Sequence, residues 1–127
     1  MQVSTQLTSS NLQESSGDEA PRIATTTVAT EEEGARIGRI LVEERLAACV
    51  TLLPARSIYR WEGAISDERE SLLIIKSVRG NLARLRARLH EIHPYELPEW
   101  VVQAPEEVSE AYGLWIRESV RAEPYDR

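Results

Sequence analysis

The sequence predicts an α+β fold in which strands and helices follow the order β-α-β-β-α-β, with one further helix at the end. Stretches rich in Thr, Val and Ile, which favour strands, alternate with stretches whose apolar residues recur at helical spacing. A chain of 127 residues is long enough to bury one core without disulfides or metals. The hydrophobic share of 42% and the charged share of 28% are typical of globular proteins, which excludes a fibrous, coiled-coil or wholly disordered chain.

Residues 1–21 are predicted to form a disordered or loosely ordered polar tail. Eleven of them are Ser, Thr, Asn or Gln, and such a segment buries too little apolar surface to offset its ordering entropy. The segment also lacks the basic start and apolar stretch of a secretory signal, so we expect a cytoplasmic protein. The domain is expected over residues 22–122, followed by a short tail over 123–127.

The first strand is predicted over 23–29, and a helix is predicted from Thr30 to about Leu46. Thr30 is the expected N-cap, and Glu33 would complete a capping box. The helix places three apolar side chains on one face: Ile37, Ile40 and Leu41. The acidic run 31–33 suits the positive end of the helix dipole, and a cation site is the alternative interpretation.

Two long extended segments, 49–61 and 64–78, are predicted to form a hairpin around a tight turn at Gly63. Because they are far longer than a usual strand, we expect Pro54 and the polar run 66–70 to interrupt the pairing as bulges or loops. Such a hairpin would project from a small domain with unpaired edges. Its length therefore predicts a homo-oligomer in which copies of the chain pair these edges.

A second helix is predicted over 81–92, because apolar residues at spacings of three and four form one stripe: Leu82, Leu85, Leu89 and Ile92. Pro94 is expected to end it. A short strand is predicted over 97–103, and a last helix over 109–121. This order is the split βαβ, or ferredoxin-like, arrangement.

Charge and cysteine content exclude several kinds of partner and chemistry. The net charge of −6 disfavours a nucleic-acid groove, and no apolar run is long enough to cross a membrane. The single cysteine, Cys49, excludes an intrachain disulfide, and its small, apolar neighbours favour inert packing over a reactive thiol. No phosphate-binding loop, nucleophile elbow or zinc-protease motif is present, so we expect no enzyme.

The densest set of candidate ligands lies in the segment 93–99, where two prolines fix a short connection. His93 would continue the apolar stripe of the second helix, so its ring is expected to be partly buried. A partly buried imidazole near carboxylates could ligate a transition metal, or it could be a structural histidine bonded to backbone or Glu. His90 forms a formal His-x-x-His pair with His93, but its position beside Arg86 favours a solvated side chain.

Two aromatic residues lie at the tip of the predicted hairpin. Strand alternation places Tyr59 and Trp61 on the same face. They are interpreted as a packing cluster between subunits or, alternatively, as one wall of an inter-subunit pocket that would include Tyr95.

Five stretches together resemble the CutA divalent-cation tolerance family, over about residues 23–120. In order they are 41–50 (LVEERLAACV), 57–63 (SIYRWEG), 73–77 (LIIKS), 93–99 (HPYELPE) and 112–116 (YGLWI). The resemblance implies a ferredoxin-like subunit in a stable homotrimer. It also implies a cytoplasmic role in the response to divalent metals such as copper, exerted by binding and not by catalysis.

The resemblance also implies a weakened metal site. Bacterial members with a copper site use a Cys near the end of the first strand and two consecutive histidines before Pro-Tyr. Here the strand position is Thr27 and the first histidine position is Ile92, so only His93 remains. Copper or another divalent metal is therefore expected to bind weakly, with His93 as the contact and Glu99 as its candidate partner.

A second interpretation needs no metal. The family is structurally close to trimeric PII-type signalling proteins, so a regulatory or scaffold trimer is the alternative. In either case the expected partners are further copies of the chain and a divalent metal or small ligand, with no nucleic acid and no membrane.

Overall fold

The structure, a computed structural model, describes residues 17–121. These residues contain a four-stranded antiparallel sheet in the order β2-β3-β1-β4, so the predicted α+β class is confirmed. The elements are β1 (Pro21–Val28), α1 (Glu31–Glu43), β2 (Cys49–Trp61), β3 (Ala64–Val78), α2 (Leu82–Ile92), β4 (Val101–Gln103) and α3 (Glu110–Val120).

The predicted tails fall largely outside the part of the chain that the structure describes. Residues 1–16 of the N-terminal tail and all of residues 123–127 lie beyond it. Within the predicted N-terminal tail, residues 17–19 are helical, and β1 begins at Pro21, two residues before the predicted start.

The core lies between one face of the sheet and helices α1 and α2. Its fully buried side chains come from alternate strand positions and from one stripe of each helix: Val28, Leu73, Ile75, Ile37, Leu41, Leu85 and Leu89. Leu82 and Ile92 pack against this cluster. The stripe predicted for the second helix is therefore confirmed.

Helix α1 begins as predicted but ends earlier. The Thr30 hydroxyl accepts a hydrogen bond from the Glu33 backbone N–H at 3.1 Å, whereas the Glu33 carboxylate pairs with Arg36 at 2.7 Å. The helix ends at Glu43 and not at Leu46, because Arg45 adopts a left-handed φ of 59°. In this Schellman turn the Leu46 N–H bonds to the Leu41 carbonyl at 2.9 Å, so the chain leaves the helix with its last carbonyls satisfied.

The hairpin has the predicted bounds, but the prediction that its pairing is interrupted was wrong. β2 and β3 pair without a bulge from Cys49 opposite Lys76 to Trp61 opposite Ala64. Glu62 and Gly63 have φ values of 52° and 83°, as a two-residue type I′ turn requires. Counted back from the turn, the pair of Pro54 and Ser71 is one of the non-hydrogen-bonded pairs, in which the backbone N–H points away from the partner strand. Proline has no N–H, so at this position it removes no hydrogen bond between β2 and β3.

The fourth strand is shorter than predicted. It comprises only Val101–Gln103, and the residues from Leu97 to Trp100 belong to no helix or strand. Pro98 explains the late start, because it lacks the N–H that a ladder needs and fixes its own φ. Helix α2 ends at Ile92, before an extended His93, as the following Pro94 predicts.

The sheet face that α1 and α2 leave uncovered is called the open face here. Strand alternation and the observed register assign to it three residues of each long strand: Ile23, Thr25 and Thr27; Thr51, Leu53 and Tyr59; and Glu70, Leu72 and Ile74. Helix α3 covers one end of this face, where Ile116 packs with Ala48 and Val78. The projecting part of β3, Ala64 to Glu70, extends beyond its pairing with β1.

Close packing of α1 on the sheet gives a first prediction. A Cβ at Gly34 would lie 3.0 Å from methyl groups of both Leu52 and Leu73. We expect Gly34→Ala to lower the free energy of unfolding by about 1 kcal/mol, because overpacking outweighs the gain in helix propensity. Guanidinium unfolding measures it.

Gly113→Ala is the matched control, since Gly113 also lies inside a helix. A Cβ there meets only ordinary contacts, at 3.4 Å from Arg117 and 3.7 Å from Val108. We expect this variant to be as stable as the unmodified protein or more stable, by up to about 1 kcal/mol. A stabilised Gly34→Ala protein would contradict the close packing of α1.

Candidate functional site

Two of the predicted aromatic residues, Tyr59 and Tyr95, contact glutamates on the open face of the hairpin. The Tyr59 hydroxyl donates to Glu68 at 2.9 Å, and the Tyr95 hydroxyl donates to Glu70 at 3.1 Å. Trp61 lies two residues beyond Tyr59 on the same face and is 43% exposed. The five residues Tyr59, Trp61, Glu68, Glu70 and Tyr95 are called the hairpin cluster below.

Burial and the two glutamates raise the pKa values of both phenols in the hairpin cluster. Burial and the hydrogen bond to Glu70 raise the pKa of Tyr95 to about 12. The hydrogen bond to Glu68 raises the pKa of Tyr59 as well. Tyrosine is neutral at physiological pH even at its ordinary pKa, and the raised values keep both phenols in the form that donates hydrogen bonds to the carboxylates.

His93 is buried at the end of α2, as predicted, and both of its ring nitrogens are engaged. Nδ1 lies 3.1 Å from the backbone N of Tyr95, which can only donate, so Nδ1 is the acceptor. Nε2 lies 2.9 Å from the Thr27 carbonyl, which can only accept, so Nε2 carries the proton. Burial lowers the pKa of His93 from its ordinary value, although the Thr27 carbonyl opposes this.

The other predicted metal contact, Glu99, lies on the open face of β1, whereas His93 lies on the helix side. Its carboxylate accepts a 2.8 Å hydrogen bond from the hydroxyl of Thr25, which lies on the open face. His93, in contrast, lies 3.2 Å from the hydroxyl of Thr26, which is fully buried on the helix side. The structure therefore does not bring His93 and Glu99 together.

The residues as placed do not form a metal-chelating set. Ile92 packs against the core, and Thr27 contacts His93 through its backbone carbonyl, which accepts a hydrogen bond from the Nε2–H of the ring. Among residues 17–121, no three His, Cys, Asp or Glu side chains converge as metal ligands would. A metal at His93 would have to break one of the ring's two hydrogen bonds.

His90 and Cys49 join neither site. His90 is exposed, and its Nδ1 lies 2.9 Å from the Arg86 carbonyl, so the formal His-x-x-His pair does not face one ligand. The Cys49 sulfur lies 4.0 Å from the hydroxyl of Tyr112, which also accepts from Lys76 at 3.3 Å. Tyr112 and Lys76, but not Cys49, line a cleft of about 260 Å³ between α3 and the start of β1.

Sequence reasoning missed Glu68 and Glu70. The sequence predicts that the run 66–70 interrupts the hairpin, and an interruption assigns its residues to neither face of the sheet. Period-two alternation counted from a two-residue turn would have found them, because it places both glutamates on the face of Tyr59.

The fold and the site define a class of protein. It is a small α+β domain with helices on one face of the sheet and a long projecting hairpin, and tyrosine and glutamate side chains form a cluster on that hairpin. The sequence model of one protein family, the CutA1 divalent ion tolerance protein, matches residues 22–119 of this chain. The chain therefore belongs to the CutA1 divalent ion tolerance family.

Individual relatives agree with this assignment. The divalent-cation tolerance protein CutA of Thermus thermophilus is 42% identical over 73% of this chain and 91% of its own length. A CutA homolog from Danio rerio is longer, and the chain spans 61% of it.

Solved structures are similar in fold as well as sequence. CutA from Synechococcus elongatus is 42% identical, with a TM-score of 0.78 over 80% of this chain and 90% of that chain. The periplasmic divalent cation tolerance protein CutA from Archaeoglobus fulgidus is 31% identical, with a TM-score of 0.77 over 80% and 99%.

The burial of neutral His93 gives a prediction on pH. The unfolded chain protonates this ring near pH 6.5, whereas the folded protein does so only at lower pH. Below pH 6.5 the unfolded state therefore binds more protons, and the free energy of unfolding falls as the pH drops through this value toward the folded pKa. Guanidinium unfolding between pH 8 and pH 5 measures the slope.

Two variants isolate this contribution. His93→Leu is expected to lose it, while His90→Leu is expected to keep it, because only His93 is buried. A His93→Leu protein that retained the full slope would show that another group is responsible.

Proposed function

We propose that this chain is a ferredoxin-like subunit of a cytoplasmic homotrimer that takes part in the response to divalent metal ions such as copper, by binding and not by catalysis. Membership of the CutA1 family supports the metal response. The strand order supports the ferredoxin-like subunit, since α1 and α2 each connect two strands that have one other strand between them.

The uncovered open face carries the proposal of assembly. Its apolar side chains include Leu53 and Val101, which are 43% and 49% exposed. A four-stranded sheet with apolar residues on both faces needs a cover on both, and α3 covers only one end of this face. Further copies of the chain are the simplest cover.

Unpaired strand edges point to the same assembly. Within residues 17–121, β2 pairs only with β3, and the projecting part of β3 has no second neighbour. A regular, bulge-free edge of this length is a template for pairing with another chain. In a trimer, the three copies would cover one another's open faces and pair these edges. The apolar side chains and the unpaired backbone groups would then no longer be exposed.

The contacts of the candidate catalytic groups support binding over catalysis. Cys49 contacts Tyr112, while the two histidines bond to backbone groups on β1, after α2 and within α2. The Thr26 hydroxyl lies 3.2 Å from His93 Nε2, but this nitrogen carries the proton that faces the Thr27 carbonyl, so the imidazole does not act there as a base. No helix within residues 17–121 is long and apolar enough to span a membrane.

Metal binding within this proposal is weak and uses His93 and Glu99. One imidazole must give up a hydrogen bond, and Glu99 must turn away from Thr25, before either can contact an ion. The second candidate function, a PII-like regulatory or scaffold trimer without a metal role, is favoured by these same contacts. In that case the trimer would signal through its hairpin tips or its polar tail, whereas a pocket between subunits lined by Tyr59, Trp61 and Tyr95 would favour the first function.

Assembly through the open face is tested by placing a charge on it. We expect Leu53→Arg to reduce the mass of the particle from trimer toward monomer, because a guanidinium would be buried without a partner. Light scattering measures the mass. Val42→Arg is the matched control, since Val42 is exposed to a similar extent, 40%, but lies on helix α1. An unchanged mass in Leu53→Arg would contradict this interface.

Calorimetric titration of Cu²⁺ decides between the two functions. We expect weak binding that is lost in His93→Ala and kept in His90→Ala, because His93 is the proposed metal contact, whereas His90 is exposed on α2 and its Nδ1 faces the Arg86 carbonyl. Binding that ignores the His93 substitution, or no binding at all, would contradict the metal site and favour the regulatory trimer.

A further inference from the structure

The two sides of the projecting hairpin, residues 55–70, carry opposite charges. Strand alternation and the register place all of its arginines on the side of α1 and α2, which is called the basic side here: Arg56, Arg60 and Arg69. Asp67 is the one acidic residue on that side, and it holds Arg56 through hydrogen bonds of 2.8 and 2.7 Å. Glu68 and Glu70 lie on the open face, which has no basic residue along this part of the hairpin.

Charges remain without an ionic partner on both sides of the hairpin. In the part of the chain that the structure describes, Arg60 and Arg69 are exposed and form no ion pair. Glu68 and Glu70 each accept a hydrogen bond from a neutral phenol but pair with no cation among the same residues. Water can solvate these charges in a single chain. Where a neighbouring copy covers the open face, each buried carboxylate needs a cation from that copy.

The basic side also exposes two isoleucines. Ile58 and Ile65 are 65% and 61% exposed, and they are diagonal neighbours because Ile58 lies opposite Asp67 in the register. At the same level of the hairpin, the open face carries the aromatic rings of Tyr59 and Trp61. Each side therefore combines apolar side chains with charges, and the unpaired charges of the two sides are opposite in sign.

We propose that the basic side of one hairpin packs on the open face of the next copy's hairpin. Its two unpaired arginines then form ion pairs with two carboxylates of that copy, those of Glu68 and Glu70, and its isoleucines contact the aromatic rings. The inference rests on the proposed homotrimer and names the surfaces through which its copies meet. Because the two surfaces differ, the contact is head-to-tail, and three such contacts related by a three-fold rotation close into a ring.

Charge reversal on either side tests this contact. The readout is the rate at which isotopically labelled and unlabelled copies exchange between trimers, followed by native mass spectrometry. We expect the double variant Arg60→Glu, Arg69→Glu to exchange at least about tenfold faster than the unmodified protein, because acidic groups would then face acidic groups. The double variant Glu68→Arg, Glu70→Arg is expected to do the same. An unchanged exchange rate in either variant would overturn the proposal.

The four reversals combined in one chain separate the contact from damage to the hairpin. The two sides then exchange their charges, so the ion pairs between copies form again with the opposite polarity. We expect this fourfold variant to exchange within about threefold of the unmodified protein. A fourfold variant that exchanges as fast as the two double variants would overturn the proposal, since lost phenol hydrogen bonds or poor folding would then explain the effect.

The matched control is the double variant Arg39→Glu, Arg86→Glu. It changes the net charge by the same amount at exposed positions of α1 and α2, away from the hairpin. We expect its exchange rate to equal that of the unmodified protein. An acceleration equal to that of the hairpin variants would reduce the effect to net charge and overturn the contact.

The mass of the unmodified protein, read from the same spectra, separates failure of this contact from failure of the assembly. A trimer whose exchange is insensitive to the hairpin reversals overturns the contact between hairpins and leaves the trimer standing. A monomeric unmodified protein overturns the trimer, and the contact with it.

Discussion

The unbroken register of the hairpin is the constraint on which the rest of the structure depends. A slip of one residue between β2 and β3 would move Leu73 and Ile75 to the open face and bring the glutamates to the helix side. Exposing two fully buried aliphatic side chains costs roughly 3–6 kcal/mol, whereas Glu62 in a left-handed conformation costs about 1–2 kcal/mol. Core burial therefore outweighs the strain in the turn, and the register is held from the core end as well as from Gly63.

A fixed register gives each side of the hairpin a distinct chemistry. The core end needs apolar residues toward the helices, but the projecting end has no helix above it, so burial places no demand there on either face. The sequence nevertheless separates arginines from glutamates and tyrosines at this end. Packing within one chain does not account for that separation, which is why contacts with ligands or other copies are the place to seek its cause.

The parts of the fold that follow from local spacing could be predicted from the sequence. The stripe from Leu82 to Ile92, the Thr30 cap and the hairpin bounds all came from periodicity or turn chemistry. The end of α1 could not, because Arg45 adopts a backbone conformation that usually signals glycine. Pro54 misled for a related reason: proline forbids a central strand, and only the strand order shows that β2 lies at an edge. The predicted interruption at 66–70 has a similar effect on Glu68 and Glu70. Residues assigned to a loop cannot be assigned to a face of the sheet, so these two were not predicted to lie beside Tyr59.

His93 shows how a residue type can suggest one role and its surroundings another. Next to Pro94, Tyr95 and two glutamates in sequence, an imidazole looks like a metal ligand. In the fold it joins the Tyr95 backbone to the Thr27 carbonyl, and so ties the loop after α2 to the end of β1. That bridge also positions Tyr95, whose ring centroid lies 4.9 Å from the His93 ring and whose hydroxyl reaches Glu70. The buried, neutral His93 therefore fixes the position of Tyr95 within the hairpin cluster, and this role needs no metal.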